Sequence, residues 1–321
     1  MQEHFADRLL AAIRQKNAPA CVGLDPRIEH LPQDLLNEFN ISADSPGRDG
    51  TGSTLDPVAA AEAIGAFGRA VIDAVAPHVP AIKINIAFFE PYDAAGIRMY
   101  RKLIREAHAS GLIVIGDIKR ADIGHSTTQY ARAHLGGPDA APSDIETIPD
   151  AVTVNPYFGI DGVRPFIEAA AKTGRGLFVL VQTSNESADE VQGLRLADGA
   201  TVVQRVAQHV EGWAVDDALI GGSGYSCVGA VVSPRDLEST KRIRTLMPHC
   251  LFLVPGFGAQ GRTAQEVATC FKSDGTGALV TASRSVIYAY AAERDGARNW
   301  QACISQACRK YVSQIQHVLS P

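Results

Sequence analysis

The chain has 321 residues, 46% hydrophobic and 20% charged, which is enough to bury a large core at the upper size of a single domain. Its formal charge of -5 and pI near 6.0 exclude a strongly basic surface of the kind that attracts nucleic acid or acidic lipid. A small-molecule function is therefore the default expectation.

The first segment, residues 1–17, is amphipathic and mixes acidic with basic side chains, so it predicts a helix rather than a secretion signal. No apolar run reaches the roughly 20 residues that span a bilayer, which predicts a cytoplasmic protein without membrane contact. The six cysteines show neither a CxxC pair nor zinc-ligand spacing. They are expected to be buried thiols in a reducing compartment.

Short apolar runs recur along the chain and alternate with segments of helical period. Near-continuous apolarity is typical of parallel strands that are buried on both faces. The eight runs are residues 20–25, 81–86, 112–119, 151–156, 176–183, 228–233, 251–256 and 278–283. The clearest helical patterns are 58–77, 99–111 and 200–216, and residues 299–319 predict a closing helix.

Eight alternating strands and helices predict an α/β fold of the (β/α)₈ TIM barrel type, formed by residues 1–321 as a single domain. A doubly wound open sheet is the alternative, but no apolar run is followed by the GxGxxG of a dinucleotide-binding turn. Three polar segments without apolar period predict inserted loops: 39–56 after strand 1, 136–150 after strand 3 and 184–199 after strand 5.

Polar residues collect at the carboxyl ends of the predicted strands, where barrels of this class build their active sites. These residues are Asp25, Lys83, Asn85, Asp117, Lys119, Asn155, Gln182, Ser184, Ser233, Ser283 and Arg284. Asp117 and Lys119 lie two residues apart and share one face of their strand. Structural ion pairs at the rim are one interpretation, but convergence of charges from adjacent strands favours catalysis.

The segment PGFGAQGR, residues 255–262, follows strand 7 and contains three glycines. Glycines let backbone N–H groups approach an anion, and barrels often bind phosphate after strands 7 and 8. Arg284 could add a bidentate contact to phosphate oxygens. A flexible turn with a surface arginine is the alternative, but loop and arginine together favour a phosphorylated substrate.

Other conspicuous side chains carry less weight. His125 is expected to be a solvated loop residue, and Tyr157 and Phe158 are expected to pack at a strand end. Trp213 and Trp300 lie on helical patterns and are expected to pack against the core.

Several motifs, taken together and in order, resemble the orotidine 5′-phosphate decarboxylase family. They are GLD at 23–25, KIN at 83–85, DIKRADI at 117–123, PGFGAQG at 255–261 and SR at 283–284. NPYFGIDGV at 155–163, QTSN at 182–185 and the long insert after GLDPR resemble the larger bacterial (type 2) branch. The resemblance extends over residues 5–290.

This resemblance implies a homodimeric (β/α)₈ enzyme that converts orotidine 5′-phosphate to UMP and CO₂, the last step of de novo pyrimidine synthesis, without metal or organic cofactor. By motif, Lys119 is the proton donor to C6. Lys83, Asp117 and Asp122 complete a charged tetrad, and Asp122 reaches into the partner subunit's site.

The same resemblance assigns substrate contacts. Asp25 corresponds to a ribose contact and Ser184 to a pyrimidine contact, and Gln260, Gly261 and Arg284 are expected at the phosphate. Asn85 and Ser126 are also expected to bind the substrate. Ser126 stands where the family usually has Thr, and Glu186 follows SN where the branch commonly has Pro.

Three other functions are compatible with a barrel of this kind. A Schiff-base aldolase would use Lys83 or Lys119, but two aspartates around Lys119 oppose the neutral amine that it requires. A metal-dependent phosphosugar lyase or epimerase is the second alternative. The third is an inactive barrel that only binds a nucleotide, which the complete tetrad argues against.

Overall fold

Eight parallel strands close into a barrel, and each pairs with the next in sequence while the last pairs with the first. The computed structural model describes residues 3–42, 55–137, 145–257, 264–292 and 299–319. The strands are β1 (Ala20–Leu24), β2 (Ala81–Asn85), β3 (Ile113–Arg120), β4 (Ala151–Val154), β5 (Gly176–Gln182), β6 (Val228–Val232), β7 (Phe252–Pro255) and β8 (Ala278–Ala282). The TIM barrel is confirmed, and every strand begins and ends within two residues of its predicted run.

Helices connect the strands and surround the barrel. They are α1 (Phe5–Lys16), α2 (Gln33–Glu38), α3 (Pro57–Val75), α4 (Asp93–Ala109), α5 (Gly124–Leu135), α6 (Ile160–Thr173), α7 (Val202–Ala214), α8 (Leu237–Leu246), α9 (Ala264–Ala268), α10 (Arg284–Ile287) and α11 (Trp300–Leu319). Short 3₁₀ turns lie at Ile28–His30, Ile86–Phe88, Glu90–Tyr92, Ile145–Thr147, Glu186–Glu190, Asp217–Leu219 and Ala289–Ala292.

Helix α4 begins six residues before its predicted start at residue 99. Its first turn buries Gly96, whose missing side chain lets the helix approach the carbonyl oxygen of Phe89. The first large apolar side chain that this helix buries fully is Met99. A search for large apolar residues at helical spacing therefore places the start of α4 about one and a half turns too far along the chain.

The interior of the barrel is closed at its amino end by α1. Phe5 packs edge-on against Phe178 with ring centroids 5.9 Å apart, in space left by the missing side chain of Gly176. Ala81 and Ile115 belong to the same inner cluster. Because strand side chains alternate, Lys83 and Asp117, two residues further along, also point into the barrel, towards its carboxyl end.

Several side-chain expectations can be compared with the fold. All six cysteines are buried, and burial raises the pKa of the Cys21 thiol to about 12. His125 is exposed as predicted, although it lies in the first turn of α5 rather than in a loop, and Trp300 is buried as predicted. The expectation that Tyr157 and Phe158 pack at a strand end was wrong: their exposed fractions are 82% and 47%, and they lie in the connection between β4 and α6.

The polar inserts are described in part. Residues 184–199 follow β5 as predicted and contain the turn Glu186–Glu190. Most of the 39–56 insert and the middle of the 136–150 insert lie outside the described residues. Within the described ranges, no helix is both long and apolar enough to cross a bilayer.

Candidate active site

A cavity of about 220 Å³ opens at the carboxyl end of the barrel. It brings together five of the predicted site residues: Lys83, Asp117, Lys119, Ser184 and Arg284. The other lining residues are Thr153, Leu180, Thr183, Val231, Leu253, Pro255, Gly256, Phe257, Thr281, Ala282 and Ser283. One wall is charged and the opposite side is apolar.

The charged wall is built around the carboxylate of Asp117. Lys83 Nζ donates to Asp117 Oδ2 at 2.6 Å, and Lys119 Nζ donates to Oδ1 at 2.6 Å. Asp117 and Lys83 are buried, whereas the Lys119 side chain is 50% exposed towards the opening. We call Lys83, Asp117 and Lys119 the C-terminal cluster.

Each buried charge in this cluster is held ionised by its neighbours. Burial alone would raise the pKa of Asp117, but Lys83 and Lys119 hold it well below its usual value. Burial alone would lower the pKa of Lys83, but Asp117 and Asp25 raise it above its usual value. The cluster thus keeps a carboxylate and an ammonium group facing the cavity at neutral pH.

Two polar atoms beside the cluster are buried without a hydrogen-bond partner among the described residues: Asp25 Oδ1 and Thr281 Oγ1. Asp25 Oδ1 is 3.7 Å from Lys83 Nζ, an ion pair that is too long for a hydrogen bond. Leaving buried polar atoms unsatisfied is costly, so such atoms beside a cavity indicate where ligand groups bind.

Thr153 is a site residue that the sequence reasoning missed. Its hydroxyl donates to Asp117 Oδ1 at 2.8 Å and accepts from the backbone N–H of Lys119 at 3.0 Å. Two-residue alternation along β4 could have found it, because Thr153 shares a face with Ala151, whose side chain belongs to the inner cluster.

Gln192 was also missed, although it does not line the cavity. Its Oε1 accepts from the backbone N–H of Thr183 at 3.1 Å, and its Nε2 donates to Thr183 Oγ1 at 2.7 Å. These two hydrogen bonds fix the position of Thr183, just after the end of β5 and next to Ser184. No pattern in the polar insert distinguishes Gln192 from its neighbours, so the sequence offered no signal.

The far end of the cavity is formed by the segments after β7 and β8. Gly256, Phe257, Ser283 and Arg284 line it, which agrees with the two positions predicted for phosphate binding. Gln260 and Gly261, the other two predicted phosphate contacts, lie outside the described residues.

Four of the predicted catalytic and substrate-binding residues do not line this cavity within the described part of the chain: Asp25, which lies beside it, and Asn85, Asp122 and Ser126. Asn85 Oδ1 accepts from the backbone N–H of Ala87 at 3.2 Å and so caps a short turn. Asp122 Oδ1 accepts from the backbone N–H of Ile123 at 2.8 Å. Ser126 is exposed on the first turn of α5.

Exposed apolar side chains lie in the connections next to Asp122 and on α5, the helix that follows it. We call the following residues the apolar patch: Ile123, Tyr130, Tyr157 and Phe158. The carbonyl oxygen of Asp122 and the Cβ of Phe158 both lie against Gly162, so the two connections that carry the patch are in contact. Its four members are between 37% and 82% exposed, and exposed large apolar side chains mark candidate interaction surfaces.

A closed parallel barrel with a charged cavity at the carboxyl ends of its strands defines the chain as a (β/α)₈-barrel enzyme. The family model described as the orotidine 5′-phosphate decarboxylase / HUMPS family matches residues 21–298. The chain belongs to this family.

Known proteins are similar to this chain over nearly its full length. The chain is 39% identical to the orotidine 5′-phosphate decarboxylase of Rhodopirellula baltica over 318 residues, which cover 97% of this chain and 99% of that protein. It is 36% identical to the protein of the same name from Caldicellulosiruptor saccharolyticus, over 89% of this chain and 90% of that one. The structure of Leishmania donovani OMP decarboxylase aligns with a TM-score of 0.71 and 26% identity over 98% of each chain.

Proposed function

We propose that the chain decarboxylates orotidine 5′-phosphate to UMP and CO₂, the last step of de novo pyrimidine synthesis, without metal or organic cofactor. The observation that carries this proposal is the C-terminal cluster. A buried carboxylate holds two ammonium groups at 2.6 Å, and one of them, Lys119, remains half exposed to the cavity.

The chemistry requires such a group. When the bond between C6 and the carboxylate carbon breaks, the electron pair stays on C6, where little delocalisation is available. The Lys119 ammonium stabilises this developing charge and then transfers a proton to C6, forming the C6–H bond of UMP. Asp117 Oδ1 accepts from the Lys119 ammonium at 2.6 Å, which holds the proton donor beside the cavity.

The remaining contacts orient the substrate in this proposal. Asp25, whose Oδ1 has no hydrogen-bond partner in the described part of the chain, accepts from a ribose hydroxyl, and Asn85 assists at the same edge. Ser184 contacts the pyrimidine. Arg284 binds the phosphate together with Gln260 and Gly261. Because the phosphate is remote from the reacting bond, its binding energy serves to position the ring.

We also propose that two copies of the chain form the working enzyme in the cytoplasm. Within the described residues, Asp122 and Ser126 do not line the cavity of their own chain, and exposed apolar residues such as Ile123 and Phe158 lie beside Asp122. Exposed apolar residues of this kind are typical of a subunit interface. In this arrangement Asp122 of one subunit completes the tetrad of its partner, and Ser126 contacts the partner's substrate.

The decisive experiment measures the loss of orotidine 5′-phosphate absorbance with purified protein, with and without EDTA. We expect turnover in both conditions, and we expect Lys119→Ala to lose at least about 10³-fold in kcat. Lys172→Ala, an exposed lysine on α6, is the matched control and should retain full activity. Tight UMP binding without turnover by the wild type would support the inactive nucleotide-binding barrel instead.

The rival enzyme classes give distinct results in the same preparation. Borohydride trapping of a substrate adduct on lysine would support the aldolase, and abolition of activity by EDTA would support the metal-dependent lyase.

The dimer has its own test, which uses two inactive variants. Lys119→Ala and Asp122→Ala are mixed in equal amounts after reversible dissociation. A shared site predicts recovery of about a quarter of wild-type activity, because half of the dimers are mixed and each mixed dimer has one intact site. No recovery despite confirmed exchange of subunits would mean that Asp122 acts in its own chain or not at all.

A further inference from the structure

The backbone of Lys119 has a conformation that its residue type rarely adopts. Its φ is 46°, in the left-handed region that favours glycine. The pairing of β3 with β4 shifts register between Gly116 and Arg120, so this residue sits at an irregularity of the sheet. Such a conformation persists only where surrounding contacts hold it.

Thr153 supplies the contact from the neighbouring strand. It is 1% exposed, and its hydroxyl uses both of its hydrogen-bonding capacities on the same three-residue segment. The oxygen accepts from the Lys119 N–H at 3.0 Å, and the hydroxyl hydrogen goes to Asp117 Oδ1 at 2.8 Å. Only a group that both donates and accepts can make this pair of bonds.

Asp117 Oδ1 is also the atom that binds the Lys119 ammonium. The Thr153 hydroxyl therefore fixes the carboxylate that holds the end of the Lys119 side chain, and it also fixes the backbone from which that side chain starts. Thr281 also lines the cavity, but its Oγ1 has no hydrogen-bond partner among the described residues. The two hydrogen bonds of the Thr153 hydroxyl are therefore not a general property of threonines in this cavity.

We infer that Thr153 is a positioning residue for the proton donor: its hydroxyl locks the strained Lys119 backbone and the Asp117 carboxylate into one geometry that aims the ammonium group into the cavity. The inference rests on the proposed function, and it concerns the reaction step rather than binding. Because rate depends steeply on the placement of the reacting group, loss of the hydroxyl lowers kcat while binding of UMP is preserved.

The test compares variants at residue 153 that differ in the hydroxyl. Thr153→Val keeps the shape and removes both hydrogen bonds, Thr153→Ser keeps the hydroxyl, and Thr153→Ala is the partner of the serine variant. We expect kcat to fall about 10- to 100-fold for Thr153→Val and Thr153→Ala. We expect Thr153→Ser to remain within about threefold of the wild type, and KM and the UMP Kd to change by less than about threefold in all variants.

Thr240→Val is the matched control, because Thr240 is equally buried and its hydroxyl donates only to the carbonyl of Asp236, on α8. It should keep wild-type kcat even where its Tm falls. If Thr153→Val folds poorly, the serine and alanine pair alone carries the comparison.

Three results would overturn the inference: wild-type kcat in Thr153→Ala, an equal loss in Thr153→Ser and Thr153→Ala, or a loss confined to KM. Failure of the proposed function is a separate result, because it would show as absence of turnover in the wild type itself.

Discussion

Two buried aspartates lie at opposite ends of this barrel, and each is held by two side-chain cations. At the carboxyl end, Asp117 binds Lys83 and Lys119. At the amino end, Asp150 accepts from Arg8 at 2.6 Å and from His108 at 3.0 Å. We call Arg8, His108 and Asp150 the N-terminal cluster.

The two clusters differ in what their polar atoms contact. In the N-terminal cluster both oxygens of Asp150 are satisfied within the protein, since Oδ2 also accepts from the backbone N–H of Val114 at 2.8 Å. It joins α1, α4, β3 and the start of β4. The C-terminal cluster faces a cavity, has a half-exposed lysine and borders Asp25 Oδ1, which has no hydrogen-bond partner in the described ranges.

This difference teaches that charge burial alone does not identify a catalytic site. Burial alone would raise the pKa of both aspartates, but their cationic partners and hydrogen bonds lower it, to about 2 for Asp150 and well below the usual value for Asp117. Incomplete hydrogen bonding beside an open cavity is what distinguishes the C-terminal cluster. The expected consequence is that one cluster supports activity and the other supports folding.

The largest expected effect is that of Asp117→Asn on activity. Removing the charge leaves Lys119 without the carboxylate that orients its ammonium group, so kcat should fall at least about 10³-fold. The UMP Kd, measured by calorimetry, should change less than about tenfold, because UMP lacks the carboxylate that reacts. Near-wild-type kcat in this variant would remove the distinction between the two clusters.

Asp150→Asn is the corresponding substitution in the N-terminal cluster. Removing one partner of a buried pair leaves Arg8 without its counter-charge, so the free energy of unfolding should fall by about 3 kcal/mol. Urea denaturation measures this change, and kcat measured well below the midpoint should stay within about threefold of the wild type. A large fall in kcat at unchanged stability would assign a functional role to the N-terminal cluster.

The smallest expected effect is a pH dependence of stability that comes from His108. Burial alone would lower its pKa, but Asp150 raises it above the usual value. Protonated His108 therefore stabilises the fold fully below its unfolded pKa of about 6.5, and this contribution is lost as the pH rises through the folded pKa.

Asp150 acts with the opposite sign. Its pKa is lowered to about 2, so its contribution is present above its unfolded pKa of about 3.9 and is lost as the pH falls towards 2.

His108→Gln should reduce the free energy of unfolding by about 1 kcal/mol near pH 5.5 and by less above pH 8. Urea denaturation of both proteins across this range measures the difference, and a pH-independent difference would contradict the assignment.

Much of the fold could be predicted because strands buried on both faces must be apolar along their whole length. All eight strands carry that signal, and polar residues such as Asp117 interrupt it only where the barrel opens. The start of α4 was missed because glycine packing at Gly96 leaves no apolar side chain to count. Tyr157 and Phe158 were wrongly expected to pack, since an aromatic residue alone does not say whether the chain turns inward or outward.

The sequence by itself determined the barrel, the position of its charged end and the alternation of Lys83, Asp117 and Lys119, because strand period and residue type are local properties. Only the tertiary structure decided which charges meet and that Thr153 joins Asp117 to the backbone of Lys119. It also decided that protein groups satisfy both oxygens of Asp150, whereas Asp25 Oδ1 has no partner among the residues that the structure describes. Hydrogen bonds of this kind join residues about 30 or more positions apart, and their geometry depends on the closure of the barrel rather than on any local pattern.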